Sequence, residues 1–328
     1  MYLYYYYFSI PMLMISNLMI MISNSNFFMW MIMEINLMCF MSILSIYKFM
    51  FSEIMMIYFI TQAMNSYLFL MSSMLMNWNI LNYMFFFMML ISLIAKMGLP
   101  PFHSWYLKMM KHLNWIIFFF NSSVQKFIPL IIISKFNQNN LLIKIISFIL
   151  LMTIPFMSIN SISLKLIMSY SSMIQILWIL ILMIINEKIW FTFFLFYNLI
   201  SFNIYYLFYK LNSNYTFESS KMSPLLNMMI NLMIVSFAGI PPFTGFLNKL
   251  MFFSMTSMKF SIYLNSLIML FSLMNLFFYM RIIIASSLNF SILMNLNMKN
   301  LKMFNMNFLK ISLISIFMLL LFTMIENF

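Results

Sequence analysis

The chain has 328 residues, of which 65% are hydrophobic and only 7% are charged, with a formal net charge of +12. A soluble domain carries about 25% charged residues, so this composition excludes a soluble protein and indicates an all-α protein that crosses a membrane several times. The positive charge does not indicate a nucleic-acid partner, because the lysines are scattered between apolar segments and no basic run is longer than residues 108–112.

Residue usage indicates a compartment. Met and Phe are unusually frequent, at 44 and 41 residues, whereas there are only three Gly and no Asp. The frequent residues are those with A/T-rich codons, and heavy use of methionine fits a genetic code in which ATA encodes methionine. We therefore expect the product of an animal organelle genome.

Apolar stretches long enough to cross a bilayer predict about eleven transmembrane helices. Their approximate bounds are 1–22, 25–46, 54–76, 80–105, 113–134, 141–158, 164–185, 189–210, 224–250, 258–286 and 309–325. No stretch reads as a soluble domain, so we expect residues 1–328 to form one transmembrane domain. An odd number of spans puts most of the loop lysines on the side of the N-terminus, which the positive-inside rule assigns to the matrix.

The motif Gly-Leu/Ile-Pro-Pro-Phe occurs twice, at residues 98–102 and 239–243, and interrupts a long apolar segment each time. Proline removes a backbone donor, and such a break is tolerated at membrane depth only inside protein or beside a polar cavity. The alternative is a loop between two ordinary spans. Matched, Pro-interrupted segments in two halves of a chain are typical of transporters built from inverted repeats. We therefore expect an antiporter-like architecture with two broken helices, their breaks formed by Gly98, Pro100, Pro101, Gly239, Pro241 and Pro242.

Four ionisable residues lie inside the predicted spans or beside these breaks. Glu34 and Lys126 fall near the middle of their spans, Lys96 precedes the first break, and Lys249 follows the second. A charge inside the bilayer costs about 2.5–3.5 kcal/mol on insertion scales and indicates a functional site. The alternatives are that Lys96 snorkels from a helix end, and that Glu34 and Lys126 serve in structural ion pairs. Because low-dielectric surroundings bring carboxyl and ammonium groups closer to neutral pKa values, the set favours a proton relay.

The chain offers few ligands for a metal or cofactor. Cys39 is the single cysteine, and His103 and His112 are the only histidines. An iron–sulfur cluster uses about four thiolates, and a structural zinc site about four Cys or His ligands. We therefore expect neither a metal nor a cofactor in this chain.

Five motifs follow one another along the chain: Trp30-Met-Ile-Met-Glu34-Ile-Asn-Leu37, Lys96-Met-Gly-Leu-Pro-Pro-Phe-His-Ser-Trp105, Gln125-Lys126-x-x-Pro129, Ile240-Pro-Pro-Phe-Thr-Gly-Phe-x-x-Lys249 and Tyr279-Met-Arg281. Together they resemble the chain 2 family of mitochondrial NADH:ubiquinone oxidoreductase, the respiratory complex I. The sequence departs from the family at Val124, which replaces a Trp, at Lys165-Leu166, which replaces Arg-Lys, and at Gln175, which replaces a His.

The resemblance implies an antiporter-like, proton-translocating subunit of the membrane arm of that complex. Glu34 and Lys96 would form a modulating pair, Lys126 would be the central proton station and Lys249 would lie on the exit side. Two more residues would support the polar path, His103 and Gln125. NADH, FMN, iron–sulfur clusters and ubiquinone would be bound by other subunits. The partners would be other membrane-arm subunits, including antiporter-like neighbours, and phospholipids.

Two other functions fit the same motifs. One is a stand-alone cation/proton antiporter subunit of the related bacterial kind, which shares the Pro-broken helices and the lysines. The other is a structural scaffold that binds membrane partners without pumping. The four intramembrane charges argue against a scaffold, because hydrocarbon selects against a charge without a function.

Overall fold

The structure, a computed structural model, describes residues 2–45, 52–76, 82–136, 140–161, 163–186, 189–211, 224–241 and 243–294. These residues form α-helices joined by short connections, with no β-strand among them. In chain order the helices are α1 (Tyr2–Ile22), α2 (Asn26–Ser45), α3 (Ser52–Leu75), α4 (Asn82–Met97), α5 (Ser104–His112), α6 (Trp115–Phe119), α7 (Gln125–Lys135), α8 (Asn140–Ser158), α9 (Leu164–Ile185), α10 (Ile189–Leu211), α11 (Pro224–Ala238), α12 (Thr244–Lys259) and α13 (Ile262–Met294). A π-helical turn (Phe120–Val124) joins α6 to α7.

Helices dominate because the backbone of an apolar segment must satisfy its own hydrogen bonds when no water is present. In the part of the chain that the structure describes, six continuous helical segments are long and apolar enough to cross a membrane: Asn26–Ser45, Ser52–Leu75, Trp115–Lys135, Leu164–Ile185, Ile189–Lys210 and Ile262–Ile284. The all-α membrane class is thereby supported, and the total of about eleven spans stays a prediction. The last predicted span, 309–325, lies outside the described residues.

The chain divides into two compact units, Met1–Leu150 and Leu151–Phe328. In the first unit α2 packs between α1 and α3, α3 also contacts α4 and α5, and α7 contacts α1, α2 and α4. In the second unit α12 contacts α9, α10, α11 and α13, and α11 also packs on α10 and α13. That residues 1–328 act as a single domain stays a prediction.

The first Gly-Pro-Pro motif ends a helix. Helix α4 stops at Met97 and α5 begins at Ser104. Gly98 has a φ of 70°, its N–H donates to the Ala95 carbonyl (3.1 Å), and the Leu99 N–H donates to the Ile94 carbonyl (3.2 Å). This is the Schellman arrangement, in which a left-handed glycine lets the chain satisfy carbonyls that the helix end would leave free.

The second motif ends a helix in the same way. Helix α11 stops at Ala238, and Gly239 again has a φ of 70°. The Gly239 N–H donates to the Ser236 carbonyl (3.1 Å) and the Ile240 N–H to the Val235 carbonyl (3.4 Å). Pro241 follows the turn, whereas Pro242 lies outside the described residues. The repeated sequence therefore builds the same helix end in both units.

Candidate functional site

Glu34 lies in the middle of α2, on the side that faces α3. Its side chain is partly buried, and its Oε1 accepts a hydrogen bond from the Ser66 hydroxyl of α3. The hydroxyl satisfies one carboxylate oxygen without supplying a positive charge.

Lys96 is the penultimate residue of α4, immediately before the first helix end. Its side chain is only 8% exposed, and its backbone carbonyl accepts a hydrogen bond from Gln62 Nε2 of α3 (3.1 Å). Lys96 interacts electrostatically with Glu34, although no nitrogen–oxygen distance of 4.0 Å or less joins the two side chains. Gln62, which bonds to the Lys96 carbonyl, and Ser66, which bonds to Glu34, lie one turn apart on the same face of α3.

Lys126 is the most deeply buried of the candidate lysines, at 2% exposure. It follows the π-helical turn, a distortion that is frequent at functional sites. Its Nζ lies 4.3 Å from the centroid of the Tyr106 ring, within the range in which an ammonium is attracted by the aromatic face. Tyr106 of α5 packs closely on Gly98, because a Cβ added to Gly98 would lie 2.6 Å from Tyr106 Cβ. The first helix end therefore sets the ring against which Lys126 rests.

A small polar cavity of about 20 Å³ lies beside these lysines in the first unit, large enough for about one water molecule. Its polar lining comes from four elements: Asn36, Tyr58, Gln62, Lys96 and Gln125. The Tyr58 hydroxyl donates to Gln125 Oε1 (3.4 Å), while Gln125 Nε2 is buried without a hydrogen-bond partner among the described residues. The cavity thus joins Lys96 to the residue that precedes Lys126.

One face of α3 runs along the whole arrangement. Tyr58, Gln62 and Ser66 are spaced by four residues, so they lie on the same side of the helix about one turn apart. They bond, in that order, to Gln125, to the Lys96 carbonyl and to Glu34. Reasoning from the sequence singled out none of these three. A polar stripe at four-residue spacing in an otherwise apolar span was the signal that could have found them.

Trp105, the last residue of the Lys96–Trp105 motif, links the helices on the two sides of the proline segment. Its indole Nε1 donates to the Ala95 carbonyl (3.1 Å), so α5 is tied back to the last turn of α4 across the proline segment. Its ring also contacts Tyr58, with centroids 5.9 Å apart. His103 lies just before α5, where its Nδ1 is 3.3 Å from the Pro101 carbonyl. It does not line the cavity, and its supporting role stays a prediction.

Lys249 lies in the second unit, on the second turn of α12. Its aliphatic stem passes over the second helix end: a Cβ added to Gly239 would lie 2.6 Å from Lys249 Cε and 2.8 Å from Cδ. The glycine therefore leaves the space that the lysine side chain occupies.

Other basic residues have a plainer environment. Lys135 donates to the Ile20 carbonyl (2.7 Å) and to Ser23 at the end of α1. Arg281 binds the Ile159 carbonyl (2.7 Å) and the Ser161 carbonyl that follow α8. Carbonyls at helix C-termini attract cations, so these side chains stabilise helix ends. In the described residues, no three His, Cys, Asp or Glu side chains come together as a metal site.

Comparison with known proteins identifies the family. A family model described as "NADH:quinone oxidoreductase/Mrp antiporter, TM" matches residues 23–265. NADH-ubiquinone oxidoreductase chain 2 of Anopheles gambiae is 34% identical over 83% of this chain and 82% of its own length. The Lumbricus terrestris protein of the same name is 32% identical over 84% of each chain. The chain therefore belongs to the NADH:quinone oxidoreductase/Mrp antiporter membrane family and, within it, to the chain 2 proteins of NADH-ubiquinone oxidoreductase, which confirms the family predicted from the motifs.

Solved structures share the fold. A chain of respiratory complex I from Thermus thermophilus with bound aureothin superposes with a TM-score of 0.66 at 16% identity, over 80% of this chain and 65% of that one. A chain of the Mrp complex from Dietzia sp. DQ12-45-1b gives a TM-score of 0.66 at 15% identity, over 84% of this chain and 59% of that one. The present chain thus spans less than two-thirds of the length of those chains, and the likeness extends to the fold.

Proposed function

We propose that this chain is a proton-translocating core subunit in the membrane arm of mitochondrial NADH:ubiquinone oxidoreductase, with its N-terminus on the matrix side of the inner membrane. Protons are relayed through buried Glu and Lys residues, driven by quinone reduction elsewhere in the complex. NADH, FMN, iron–sulfur clusters and ubiquinone are bound by other subunits. Other membrane-arm subunits, antiporter-like neighbours among them, and phospholipids contact this chain.

The polar face of α3 is the observation that carries the proposal. Tyr58, Gln62 and Ser66 follow one another on α3 at intervals of about 6 Å. They bond to Gln125, to the Lys96 carbonyl and to Glu34, so the same helix face contacts Glu34, Lys96 and the residue before Lys126. Glu34 modulates the proton affinity of Lys96, and the cavity connects Lys96 toward Lys126. In the second unit, Lys249 serves as the exit station.

In our proposal, the relay residues Lys96 and Lys249 lie beside the breaks of two membrane helices that are related by an inverted repeat. The same Schellman end at Gly98 and at Gly239 supports it, as does the placement of one lysine at each break. A broken helix exposes backbone polar groups that a polar cavity can satisfy, and Lys96 and the cavity meet at the first break.

Replacement of Lys126 by methionine tests the relay directly. Methionine keeps a flexible, apolar side chain but cannot carry a proton, so we expect proton pumping to fall by about tenfold or more, since loss of a proton-transfer group removes at least that much. Lys126→Arg is also expected to fail, because a guanidinium does not release its proton in a protein. The measurement is proton uptake by the reconstituted complex, normalised to NADH oxidation.

The matched control is Lys108→Met, which removes an exposed lysine of α5 and should leave the ratio of protons to NADH unchanged. Assembly is checked by the yield of the intact complex. A Lys126→Met complex that pumps with the normal ratio would show that Lys126 is not the central station and would favour a scaffold.

A stand-alone cation/proton antiporter subunit is the second candidate, and the shared fold with the Mrp complex chain favours it. It predicts cation-dependent proton exchange in vesicles without NADH. The membrane-arm role predicts proton movement that requires NADH oxidation and stops when a quinone-site inhibitor is added.

A further inference from the structure

Helices α9 and α12 of the second unit run parallel and in register. Trp178 of α9 stacks on Phe252 of α12, with ring centroids 4.8 Å apart and planes inclined by 18°. Seven residues further along both helices, the Lys259 ammonium donates to the Ile185 carbonyl at the end of α9 (2.5 Å). Both pairs are separated by the same 74 positions in the sequence, so the register holds over two turns.

The same register places Gln175 level with Lys249. Gln175 precedes Trp178 by three residues and Lys249 precedes Phe252 by three residues, so each lies on the face that its helix turns toward the other. Asn248 is the neighbouring residue on that side of α12.

Two acceptors in this region are without a hydrogen-bond partner in the described part of the chain: Gln175 Oε1 and Asn248 Oδ1. Asn248 is only 5% exposed. A buried acceptor without a donor is destabilising, whereas the Lys249 ammonium carries three donors. The stem of Lys249 is held over Gly239, which limits where its ammonium can lie.

We propose that Gln175 is a positioning residue for Lys249, assisted by Asn248. Its amide oxygen accepts a hydrogen bond from the protonated ammonium, directly or through one water, and so fixes the direction in which Lys249 presents its proton. The amide itself neither gains nor loses a proton, so Gln175 orients the transfer without storing charge. The inference rests on the proposed role of Lys249 in proton exit.

The test compares three variants of the assembled complex in sealed vesicles. Gln175→Leu keeps the approximate volume and removes the acceptor, and we expect the rate of NADH-driven proton pumping to fall by about tenfold, the size expected for a lost hydrogen bond to a charged group. Ser169→Ala is the matched control. It removes a fully buried hydroxyl of the same helix that donates to the Leu166 carbonyl one turn earlier in that helix, and pumping should be unchanged.

Gln175→His should give a pH dependence of pumping that a packing defect would not produce. A neutral imidazole keeps an acceptor and an imidazolium has none. Because histidine titrates near pH ~6.5, the histidine variant should pump at pH 8 and lose pumping as the pH falls through that range, whereas the native chain should show no such step.

Equal pumping by Gln175→Leu and the native chain, or a pH profile of Gln175→His that follows the native one, would overturn the inference. Should the leucine variant fail to assemble, the histidine profile decides alone. If Lys126→Met abolishes pumping and the Gln175 variants change nothing, only this inference fails; if Lys126→Met pumps normally, the proposed function itself fails.

Discussion

Lysines of this chain differ in what surrounds the ammonium group. The exposed Lys259 donates to the Ile185 carbonyl at the C-terminal end of α9, where the helix dipole favours a cation. The ammonium of Lys126 lies over the Tyr106 ring, whose aromatic face attracts a cation. In the proposed relay, this attraction helps to hold the protonated ammonium in place.

Substitution of Tyr106 tests this environment. A desolvated cation–π contact contributes about 2 kcal/mol, which is more than tenfold in an equilibrium. Tyr106→Leu removes the aromatic face and keeps the Cβ and Cγ that pack on Gly98, so we expect proton pumping to fall several-fold in an assembled complex. Tyr106→Phe keeps the ring and should retain most of the activity. Pumping per NADH is the measurement, and equal losses in the two variants would contradict a role for the ring face.

The ionisable residues of the candidate site were proposed from the sequence, and their roles stay predictions, whereas their neutral neighbours were not singled out. Glu34, Lys96 and Lys126 could be predicted because an intramembrane charge is rare and costly. Gln62 and Ser66 could not be singled out, since neutral polar residues are common in this chain and their value depends on which helix they face. His103 was expected to support the path, and the structure places it at the start of α5, away from the cavity.

The two helix ends share a backbone arrangement and differ in what packs on the glycine. At Gly98 the neighbouring atoms are Tyr106 Cβ and Cγ, close to the backbone of α5. At Gly239 the two nearest atoms are Cε and Cδ of Lys249, near the tip of a long side chain, and the backbone oxygen of Gly245 lies somewhat farther away, at 3.1 Å. An atom near the backbone cannot yield without moving its helix, whereas a lysine tip can turn away.

Alanine at these two positions should therefore give different defects. Either variant places an L-residue at a φ of 70°, which costs about 1–2 kcal/mol. Gly98→Ala should also displace α5, so we expect a lower yield of assembled complex. Gly239→Ala should assemble more fully but pump less, because its methyl group moves Lys249. The measurements are the amount of intact complex and its proton-to-NADH ratio; full pumping by Gly239→Ala would show that the position of Lys249 is not critical.

Hydropathy predicted where helices lie along the chain far better than it predicted which helices pack against one another. Segment 164–185 was predicted with the bounds that α9 has in the structure, because polar residues flank it on both sides. The π-helical turn before Gln125 and the register between α9 and α12 were not predictable, since both depend on packing between segments distant in the sequence.

At the scale of the molecule, α3 illustrates how a helix can turn polar groups inward and apolar groups outward. On α3 the buried stripe of Tyr58, Gln62 and Ser66 is opposed by Met64, Leu68 and Met71, which are 60%, 51% and 65% exposed. A soluble protein rarely exposes continuous apolar surface on this scale. Such a face requires lipid or the apolar side of another membrane subunit, which agrees with the family to which the chain belongs.

Affinity purification of the tagged, full-length chain from mitochondria in mild detergent tests the molecular context. A membrane-arm subunit should copurify with FMN and iron–sulfur clusters, detected by flavin fluorescence and electron paramagnetic resonance. Other subunits would hold these cofactors, since this chain has a single cysteine. The cofactor signals should persist in Lys126→Met, because loss of a buried charge need not disturb packing, while pumping is lost. Recovery of the chain without flavin, together with NADH-independent cation/proton exchange in vesicles, would instead identify a stand-alone antiporter subunit.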